Sequence, residues 1–256
     1  ETGFFKGVDV GDLNNDGYPD LYLSNFSGKN LLYINTSNEN GVFFQLAPES
    51  AGVAEPLESF STWIFDYNND GFEDIFVSGY SNAEKSPANI FMANIRNPFD
   101  WRLEDHRPRL YRNNGDGTFT DQLKTSMGHT SHFSMGNNIA DIDNDGWMDI
   151  YTLDMLPEDN RRQKLLLSPD NYEKFDLNIR SGFHYQYMRN MLQRNNGNGT
   201  YSEIGQLAGV SNTDWSWAAL LADFDNDGWK DLYVTNGYFR DYTNLDFINY
   251  MEDYVQ

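Results

Sequence analysis

One nine-residue pattern occurs four times in this chain of 256 residues, and it constrains the fold more than any other feature of the sequence. Each copy has aspartate at positions one, five and nine, aspartate or asparagine at position three, and glycine at position six. The copies occupy residues 12–20, 66–74, 141–149 and 223–231, and we call them loops one to four. Chance would give this pattern about 0.005 times in a chain of this composition, so the loops are internal repeats.

A second element, rich in asparagine and glycine, recurs between the loops. Full copies run from Leu110 to Phe119 and from Leu192 to Tyr201, and a shorter copy occupies residues 30–35. Asparagine and glycine pairs between β-prone residues predict tight hairpin turns. Each repeat is therefore predicted to contain one loop and one hairpin.

A short apolar strand begins at position nine of every loop, and its side chains alternate between two faces. One face carries Tyr22, Phe76, Tyr151 and Tyr233, and the other carries Leu21, Ile75, Ile150 and Leu232. Strands that are apolar on both faces belong between packed sheets. The sequence therefore predicts an all-β fold, a β-propeller of four-stranded blades with three complete repeats and a partial fourth, as part of a larger ring. A β-sandwich with repeated loops is the alternative, which repeats of about 50 residues disfavour.

The spacing within the repeats shows where the fold tolerates insertions. From loop to hairpin the chain runs 20, 44 and 51 residues, whereas from hairpin to the next loop it runs 34, 31 and 31 residues. Insertions at about 79–106 and 154–187 therefore enter at one equivalent connection. Equivalent connections lie on one face of a radial repeat, so residues 1–256 are predicted to form a propeller segment whose insertions share a face.

Helices are predicted within these insertions. Pro157 precedes a helical stretch at residues 158–167, and a further turn or two is expected at residues 172–178. Residues 244–255 carry apolar side chains at helical spacing, which predicts that another insertion starts at about 238–256.

The loops offer oxygen atoms in the number and spacing that calcium requires. Positions one, three, five and nine supply side-chain oxygens, position seven supplies a backbone carbonyl, and the glycine at position six allows the sharp turn. Without a cation, two carboxylates 4 Å apart repel by roughly 4 kcal/mol at an effective dielectric near 20. The sequence therefore predicts about four Ca²⁺ ions. The predicted ligands are Asp12, Asn14, Asp16, Tyr18 and Asp20; Asp66, Asn68, Asp70, Phe72 and Asp74; Asp141, Asp143, Asp145, Trp147 and Asp149; and Asp223, Asp225, Asp227, Trp229 and Asp231.

The loop pattern also admits alternatives to calcium. The loops are not EF-hands, because position twelve holds Leu, Val or Thr in place of the bidentate glutamate and a strand follows instead of a helix. Magnesium is a lesser candidate because it retains its water ligands, and asparagine-rich turns without metal are a further alternative. A zinc site at His129 and His132 is disfavoured because the other two histidines, His106 and His184, lie far away in the sequence.

Composition narrows the classes of partner. The 18 lysines and arginines stand against 39 aspartates and glutamates, a net charge of −21, so nucleic acid and direct membrane insertion are not expected. The chain has no cysteine, which removes disulfides and thiolate chemistry. It begins at Glu1 and not at a translation start, so it is expected to be a processed or incomplete part of a longer polypeptide.

The loops and the L-Y-x-N-N-G-x-G-x-F hairpins resemble the FG-GAP or VCBS repeats of integrin-α-like β-propellers. Residues 134–136 (Ser-Met-Gly) and 208–210 (Ala-Gly-Val) look more narrowly like the ASPIC/UnbV and cartilage-acidic-protein-like surface proteins of Bacteroidota. The resemblance implies a calcium-stabilised propeller, often of seven blades, that lies outside the cytoplasm and serves adhesion or assembly. The absence of cysteine favours a bacterial surface or secreted protein over an animal one.

Two functions are therefore compared. The preferred one is an extracellular, non-catalytic binding or assembly module whose insertion-bearing face contacts a protein or glycan partner. The alternative is a polysaccharide-active enzyme, such as a lyase, built on a calcium-binding propeller. It would need acidic and basic residues that converge on one face, and no such cluster stands out in the sequence.

Overall fold

The computed structural model describes residues 3–80, 107–166, 172–180, 182–237 and 244–255. Within these residues the chain is mainly β, and three antiparallel sheets have four strands each, paired in chain order. The first sheet contains β1 (Phe5–Gly11), β2 (Asp20–Asn25), β3 (Leu31–Asn35) and β4 (Phe44–Leu46). The second contains β5 (Ser59–Phe65), β6 (Asp74–Gly79), β7 (Arg109–Asn113) and β8 (Phe119–Asp121). The third contains β10 (Gly136–Ala140), β11 (Asp149–Leu153), β13 (Met191–Asn195) and β14 (Tyr201–Glu203).

Two smaller pairs of strands complete the described β-structure. A fourth sheet pairs β15 (Ser216–Ala222) with β16 (Asp231–Asn236) in antiparallel fashion, and β9 (Thr130–Ser131) pairs with β12 (Gln186–Tyr187) in parallel. The all-β fold with four-stranded antiparallel sheets, predicted from the repeats, is confirmed. Closure of these propeller-like sheets into a larger ring stays a prediction.

The first strands of neighbouring sheets run close beside one another. The Ile64 N–H donates a hydrogen bond of 2.6 Å to Asp9 Oδ2, which joins β5 to β1. A Cβ added at Gly7 would lie 2.9 Å from the Phe60 carbonyl oxygen, and one added at Gly136 would lie 2.5 Å from the Trp217 carbonyl oxygen. Only glycine permits so close an approach, so these two positions bring adjacent sheets together at their first strands.

The hydrophobic core lies between the sheets, in three clusters. Tyr22 and Leu32 of the first sheet pack against Ile75 of the second, and Phe76 of the second packs against Ile150 of the third. All five side chains are at most 3% exposed. The third cluster joins the third and fourth sheets. The stacked sheets therefore share cores in the order in which they occur along the chain.

The fourth sheet departs from the predicted burial of both strand faces. Its Leu232 and Val234 pack against the third sheet, but Tyr233 is 60% exposed and Leu220 is 47% exposed. The equivalents of Tyr233 in the other sheets, Tyr22, Phe76 and Tyr151, are at most 1% exposed. The prediction that each of these strands is buried on both faces is therefore wrong for β16, because no further sheet covers it among the described residues.

Four helices accompany the sheets in the described segments: α1 (Leu123–Ser126), α2 (Asn160–Leu166), α3 (Tyr172–Arg180) and α4 (Leu245–Val255). The sequence predicted a start at residue 158 for α2, but Asp159 is the N-cap, since its Oδ2 accepts a hydrogen bond from the Arg162 N–H over 2.8 Å. Helix α3 runs two residues past its predicted end, where Arg180 lies 2.8 Å from Asp176 one turn earlier. None of the helices in the described segments has the length and apolar character needed to cross a lipid bilayer.

Most of the first predicted insertion, residues 81–106, lies outside the described residues, as do residues 167–171 and 238–243. Strand β6 ends at Gly79 and β7 begins at Arg109, while β11 ends at Leu153 and β13 begins at Met191. In each sheet this second-to-third connection lies at the end remote from the loop, which connects the first strand to the second. A shared face for the insertions stays a prediction.

Candidate metal centre

Position one closes each loop by accepting two backbone hydrogen bonds. In loop one, the Asp16 N–H donates to Asp12 Oδ1 over 3.0 Å and the Gly17 N–H donates to Asp12 Oδ2 over 2.7 Å. The same pair recurs in the other three loops with distances of 2.8–3.2 Å. The asparagine at position four and the glycine at position six have φ between 53° and 93° in all four loops. The repeated sequence therefore folds into the same left-handed turn each time.

Position nine ties loops one to three to the sheet behind them, whereas Asp231 of loop four is exposed. Asp20, Asp74 and Asp149 are at most 1% exposed. In each, Oδ2 accepts a 3.0 Å hydrogen bond from the position-two N–H. Oδ1 accepts a 2.7 Å bond from the backbone N–H of the asparagine that ends the third strand, which is Asn35, Asn113 or Asn195. One carboxylate therefore connects the loop, the second strand and the third strand, and it retains lone pairs that can coordinate a cation.

Burial makes these carboxylates costly to ionise. It raises the pKa of Asp74 to about 7 and that of Asp149 to about 6, and it also raises the pKa of Asp20. Neighbouring loop carboxylates raise them further, although the backbone hydrogen bonds act in the opposite direction. A bound cation would favour the charged form of all three.

The carboxylates converge most closely in loops three and four. One oxygen each from Asp141, Asp143 and Asp149 lies within 4.8 Å of the others, and the equivalent three aspartates of loop four are equally close. In loops one and two, position three is asparagine, and the Asn14 Oδ1 accepts a 3.0 Å bond from the Asp16 N–H. One side-chain oxygen each from positions one, three and nine therefore comes together in loops three and four. Convergence of all four predicted side-chain donors in every loop stays a prediction.

The donor set fits a hard divalent cation. All the side-chain donors are carboxylate or amide oxygens, the ligands that Ca²⁺ takes. Asp143 Oδ1 is buried and has no hydrogen-bond partner. A buried carboxylate oxygen without a partner is costly, and a cation at the centre of the cluster would satisfy it.

The aromatic residues at position seven have different surroundings in different loops. The rings of Phe72 and Trp147 lie against Gly115 and Gly197 of the following hairpins, where an added Cβ would be 3.0 Å from the ring. Tyr18 is 48% exposed and Trp229 is 54% exposed. Coordination through the carbonyls of these four residues stays a prediction.

The two histidines considered for zinc have different neighbours. His129 Nε2 lies 3.4 Å from Glu203 Oε2, and its ring meets Tyr187 edge to face. His132 packs against Phe133, with ring centroids 4.5 Å apart. The clusters of three metal-ligating groups in the described segments are those of loops three and four, so the structure adds no support for zinc.

A set of residues that sequence reasoning left unassigned joins the loops to one another. The side-chain amide at position four donates to the position-six carbonyl of the next loop: Asn15 to Gly71 over 3.0 Å, Asn69 to Gly146 over 3.1 Å, and Asn144 to Gly228 over 2.9 Å. The signal was present, since position four is asparagine in every copy. The metal-ligand prediction assigned position four no role. Its side-chain amide instead bonds to the backbone of the next loop.

Hairpin asparagines add a second set of connections. The Asn113 amide donates to the Leu13 carbonyl over 2.7 Å, and the Asn195 amide donates to the Tyr67 carbonyl over 2.8 Å. Each bond runs from a hairpin to the loop of the preceding repeat. The loops therefore form one hydrogen-bonded row along one end of the stacked sheets.

Known proteins share these features. A family model described as FG-GAP-like repeat matches residues 12–77, 91–152 and 176–234, well over half of the chain, and all four loops fall within the matched segments. Human cartilage acidic protein 1 (Homo sapiens) is 25% identical over 146 residues, which is 57% of this chain and 19% of that protein. The chain thus spans about a fifth of the length of this curated relative. The resemblance drawn from the loops and hairpins is confirmed at the level of the family: the chain belongs to the FG-GAP-like repeat family.

Proposed function

We propose that this chain is a calcium-binding module whose ions stabilise the contacts between its β-sheets. The observation that carries the proposal is the convergence of the Asp141, Asp143 and Asp149 carboxylates, together with the buried Asp143 Oδ1 that has no hydrogen-bond partner. The same loop geometry recurs four times, which supports about four ions. Each ion would be held by positions one, three, five and nine of its loop, with the position-seven carbonyl as a further ligand.

The role of the ion follows from the position-nine aspartates of loops one to three. These side chains are buried and already join the loop to two strands, so neutralising their charge stabilises the sheet as well as the loop. At a calcium concentration about ten times the dissociation constant, each site would add about 1.4 kcal/mol to the free energy of unfolding. We assign the ions this structural role and no catalytic one.

We further propose that the module serves binding or assembly outside the cytoplasm, as an adhesion or surface-complex component. Its membership of the FG-GAP-like repeat family and its similarity to human cartilage acidic protein 1 support an extracellular location. A bacterial outer-membrane surface or secretion is the proposed location, with a protein or glycan partner at the insertion-bearing face. The remainder of a longer polypeptide is a second proposed partner.

A polysaccharide-active enzyme is the less favoured function. Outside the loops, a histidine, an arginine and a glutamate meet at His129, Arg189 and Glu203, where Glu203 Oε2 lies 3.4 Å from His129 Nε2 and 3.2 Å from Arg189 Nη2. Burial alone would raise the pKa of Glu203, but hydrogen bonds from His129 and Gly205 outweigh it and lower that pKa. Glu203 also accepts a 2.6 Å bond from the Gly205 N–H, so it serves a turn and is poorly suited to act as a general acid. Cleavage of any polymer in a glycan panel would contradict the binding-module proposal.

The calcium proposal is tested by Asp145→Ala, with Asp116→Ala as the matched control. Both variants remove one negative charge, but Asp116 lies in a hairpin turn, where it accepts a 3.0 Å bond from the Thr118 N–H. Asp145→Ala is expected to lower Tm in calcium by about 3–6 °C more than in calcium-free buffer, because one site is lost. Asp116→Ala should lower Tm equally in both. An equal loss for Asp145→Ala would mean that loop three holds no ion.

A further inference from the structure

Loop three differs from loops one and two in the side chain that donates a hydrogen bond beside its position-five carboxylate. In loops one and two, the position-three asparagine donates its amide to the position-five carboxylate: Asn14 to Asp16 over 3.0 Å and Asn68 to Asp70 over 2.8 Å. In loop three, position three is Asp143, which cannot donate to Asp145 and adds one more negative charge. Two carboxylates therefore stand side by side where loops one and two have an amide and a carboxylate.

An arginine from the hairpin that follows loop three supplies the missing donor. The Arg194 Nε donates to Asp143 Oδ2 over 2.6 Å, and its Nη2 lies 3.5 Å from Asp145 Oδ2. The guanidinium thus bridges Asp143 Oδ2 and Asp145 Oδ2, whereas in loops one and two the position-three amide donates directly to the position-five carboxylate. Asp143 engages Arg194 through Oδ2, which leaves its other oxygen, the buried Oδ1, without a hydrogen-bond partner.

The equivalent hairpin positions show that this arrangement is particular to loop three. In the second sheet the same position on the third strand is Arg112, whose Nη2 donates to Asn114 Oδ1 over 3.3 Å. In the first sheet it is Ile34. Loop four has aspartate at position three, as loop three does, but no hairpin follows it among the described residues. Counting only positions one, three, five and nine, loops one and two have three carboxylates and loops three and four have four, and Arg194 offsets the extra carboxylate of loop three.

From this geometry we infer that Arg194 is a positioning residue that compensates Asp143 and sets the calcium affinity of loop three to that of an asparagine-type loop. The inference rests on the proposed calcium function. A guanidinium beside two ligand carboxylates lowers the attraction of the loop for a cation, and in the ion-free state it relieves the repulsion between Asp143 and Asp145.

The test is a calcium titration followed loop by loop in NMR spectra of protein labelled with ¹⁵N-glycine. The position-six amides of Gly17, Gly71, Gly146 and Gly228 each donate to the position-one carboxylate, so each reports its own loop. In Arg194→Gln, calcium is expected to bind loop three about tenfold more tightly, while Tm without calcium falls by about 1–3 °C. In Arg194→Lys the charge remains, so the affinity should stay within about twofold of the wild type.

A second variant checks that the effect passes through Asp143. Asp143→Asn combined with Arg194→Gln recreates the loop-one chemistry, so both the affinity and the calcium-free Tm should return to the wild-type values. Arg112→Gln is the matched control and should leave the loop-two titration, read at Gly71, unchanged. If Gly146 titrates identically in the wild type and in Arg194→Gln, or binds more weakly in the variant, the inference is wrong. If no position-six amide of the wild type responds to calcium, the proposed function fails and the inference fails with it.

Discussion

The position-nine aspartates of loops one to three combine two demands that conflict near neutral pH. As links between loop and sheet they are buried and accept backbone hydrogen bonds, and as candidate ligands they must be ionised. Burial raises their pKa, to about 7 for Asp74 and about 6 for Asp149. Below about pH 7 for Asp74 and about pH 6 for Asp149, a calcium ion would therefore have to displace a proton from the carboxyl.

This conflict predicts that calcium binding depends on pH. Because the folded pKa lies above the unfolded value of 3.8, each group contributes stability that is present below pH 3.8 and lost as pH rises through about 6 for Asp149 and about 7 for Asp74. Calcium competes with those protons, so its apparent affinity should fall by up to about tenfold for each pH unit below the pKa of the carboxylate. The calcium-induced rise in Tm, measured on metal-depleted protein, should therefore grow between about pH 5 and 8.

The control for this prediction is Asp74→Asn, which removes one of the two titrating groups. In this variant, the response of loop two to calcium should be weak at every pH. The response of loop three should keep the pH dependence that Asp149 gives it. A calcium-induced rise in Tm that is the same across the whole range would show that these carboxylates do not take up protons in the folded protein.

The loops form a row because each one hydrogen-bonds to the next. The asparagine at position four has a positive φ, which few residues other than glycine tolerate, and it uses its amide to reach the neighbouring loop. The sequence predicts the turn but not this bond, because its acceptor lies 56 to 84 residues away in the chain. A calcium ion bound in one loop would thus be linked through this hydrogen bond to the backbone of the next.

The contribution of this bond can be measured with a matched pair of variants. Asn144→Gly removes the donor to the Gly228 carbonyl and keeps the left-handed turn, with φ of 58° in the wild type. Asn226→Gly makes the same change in loop four, where φ is 62° and no further loop follows among the described residues. Asn144→Gly is expected to lower the free energy of unfolding by about 0.5–1.5 kcal/mol more than Asn226→Gly, as measured by urea denaturation in calcium. Equal effects would mean that the bond between loops contributes nothing.

Packing between sheets, more than any property of a single strand, decides which of the repeated side chains are buried. Tyr151 and Tyr233 occupy equivalent places in their repeats, yet Tyr151 is fully buried and Tyr233 is 60% exposed. Tyr151 also donates its hydroxyl to the Val210 carbonyl over 2.7 Å and accepts a 3.0 Å bond from Asn190. The same residue in the same local sequence therefore belongs to the core in one sheet and to the surface in another.

This difference predicts unequal costs for the same substitution. Tyr151→Ala should lower the free energy of unfolding by about 3–5 kcal/mol, because it leaves a cavity between the third and fourth sheets. Tyr233→Ala should cost less than about 1 kcal/mol, since its ring is mostly solvated. If Tyr151→Ala does not fold, Tyr151→Phe still tests the two hydrogen bonds, at about 0.5–1.5 kcal/mol. Comparable losses for the two alanine variants would show that a further surface covers Tyr233 in solution.

Local chemistry in the sequence determined the repeats, the loop turns, the hairpins and the strand that begins at position nine of every loop. These features depend on residues within about ten positions of one another, such as the asparagine and glycine that set the loop backbone at residues 15 and 17. The family and the convergence of Asp141, Asp143 and Asp149 follow from the same short pattern. Only the tertiary structure decided which loop asparagine meets which glycine, that Arg194 bridges Asp143 and Asp145, and that Tyr233 lies uncovered. Those contacts join residues that are far apart in the chain, and their partners depend on how one sheet stacks against the next, which no local pattern encodes.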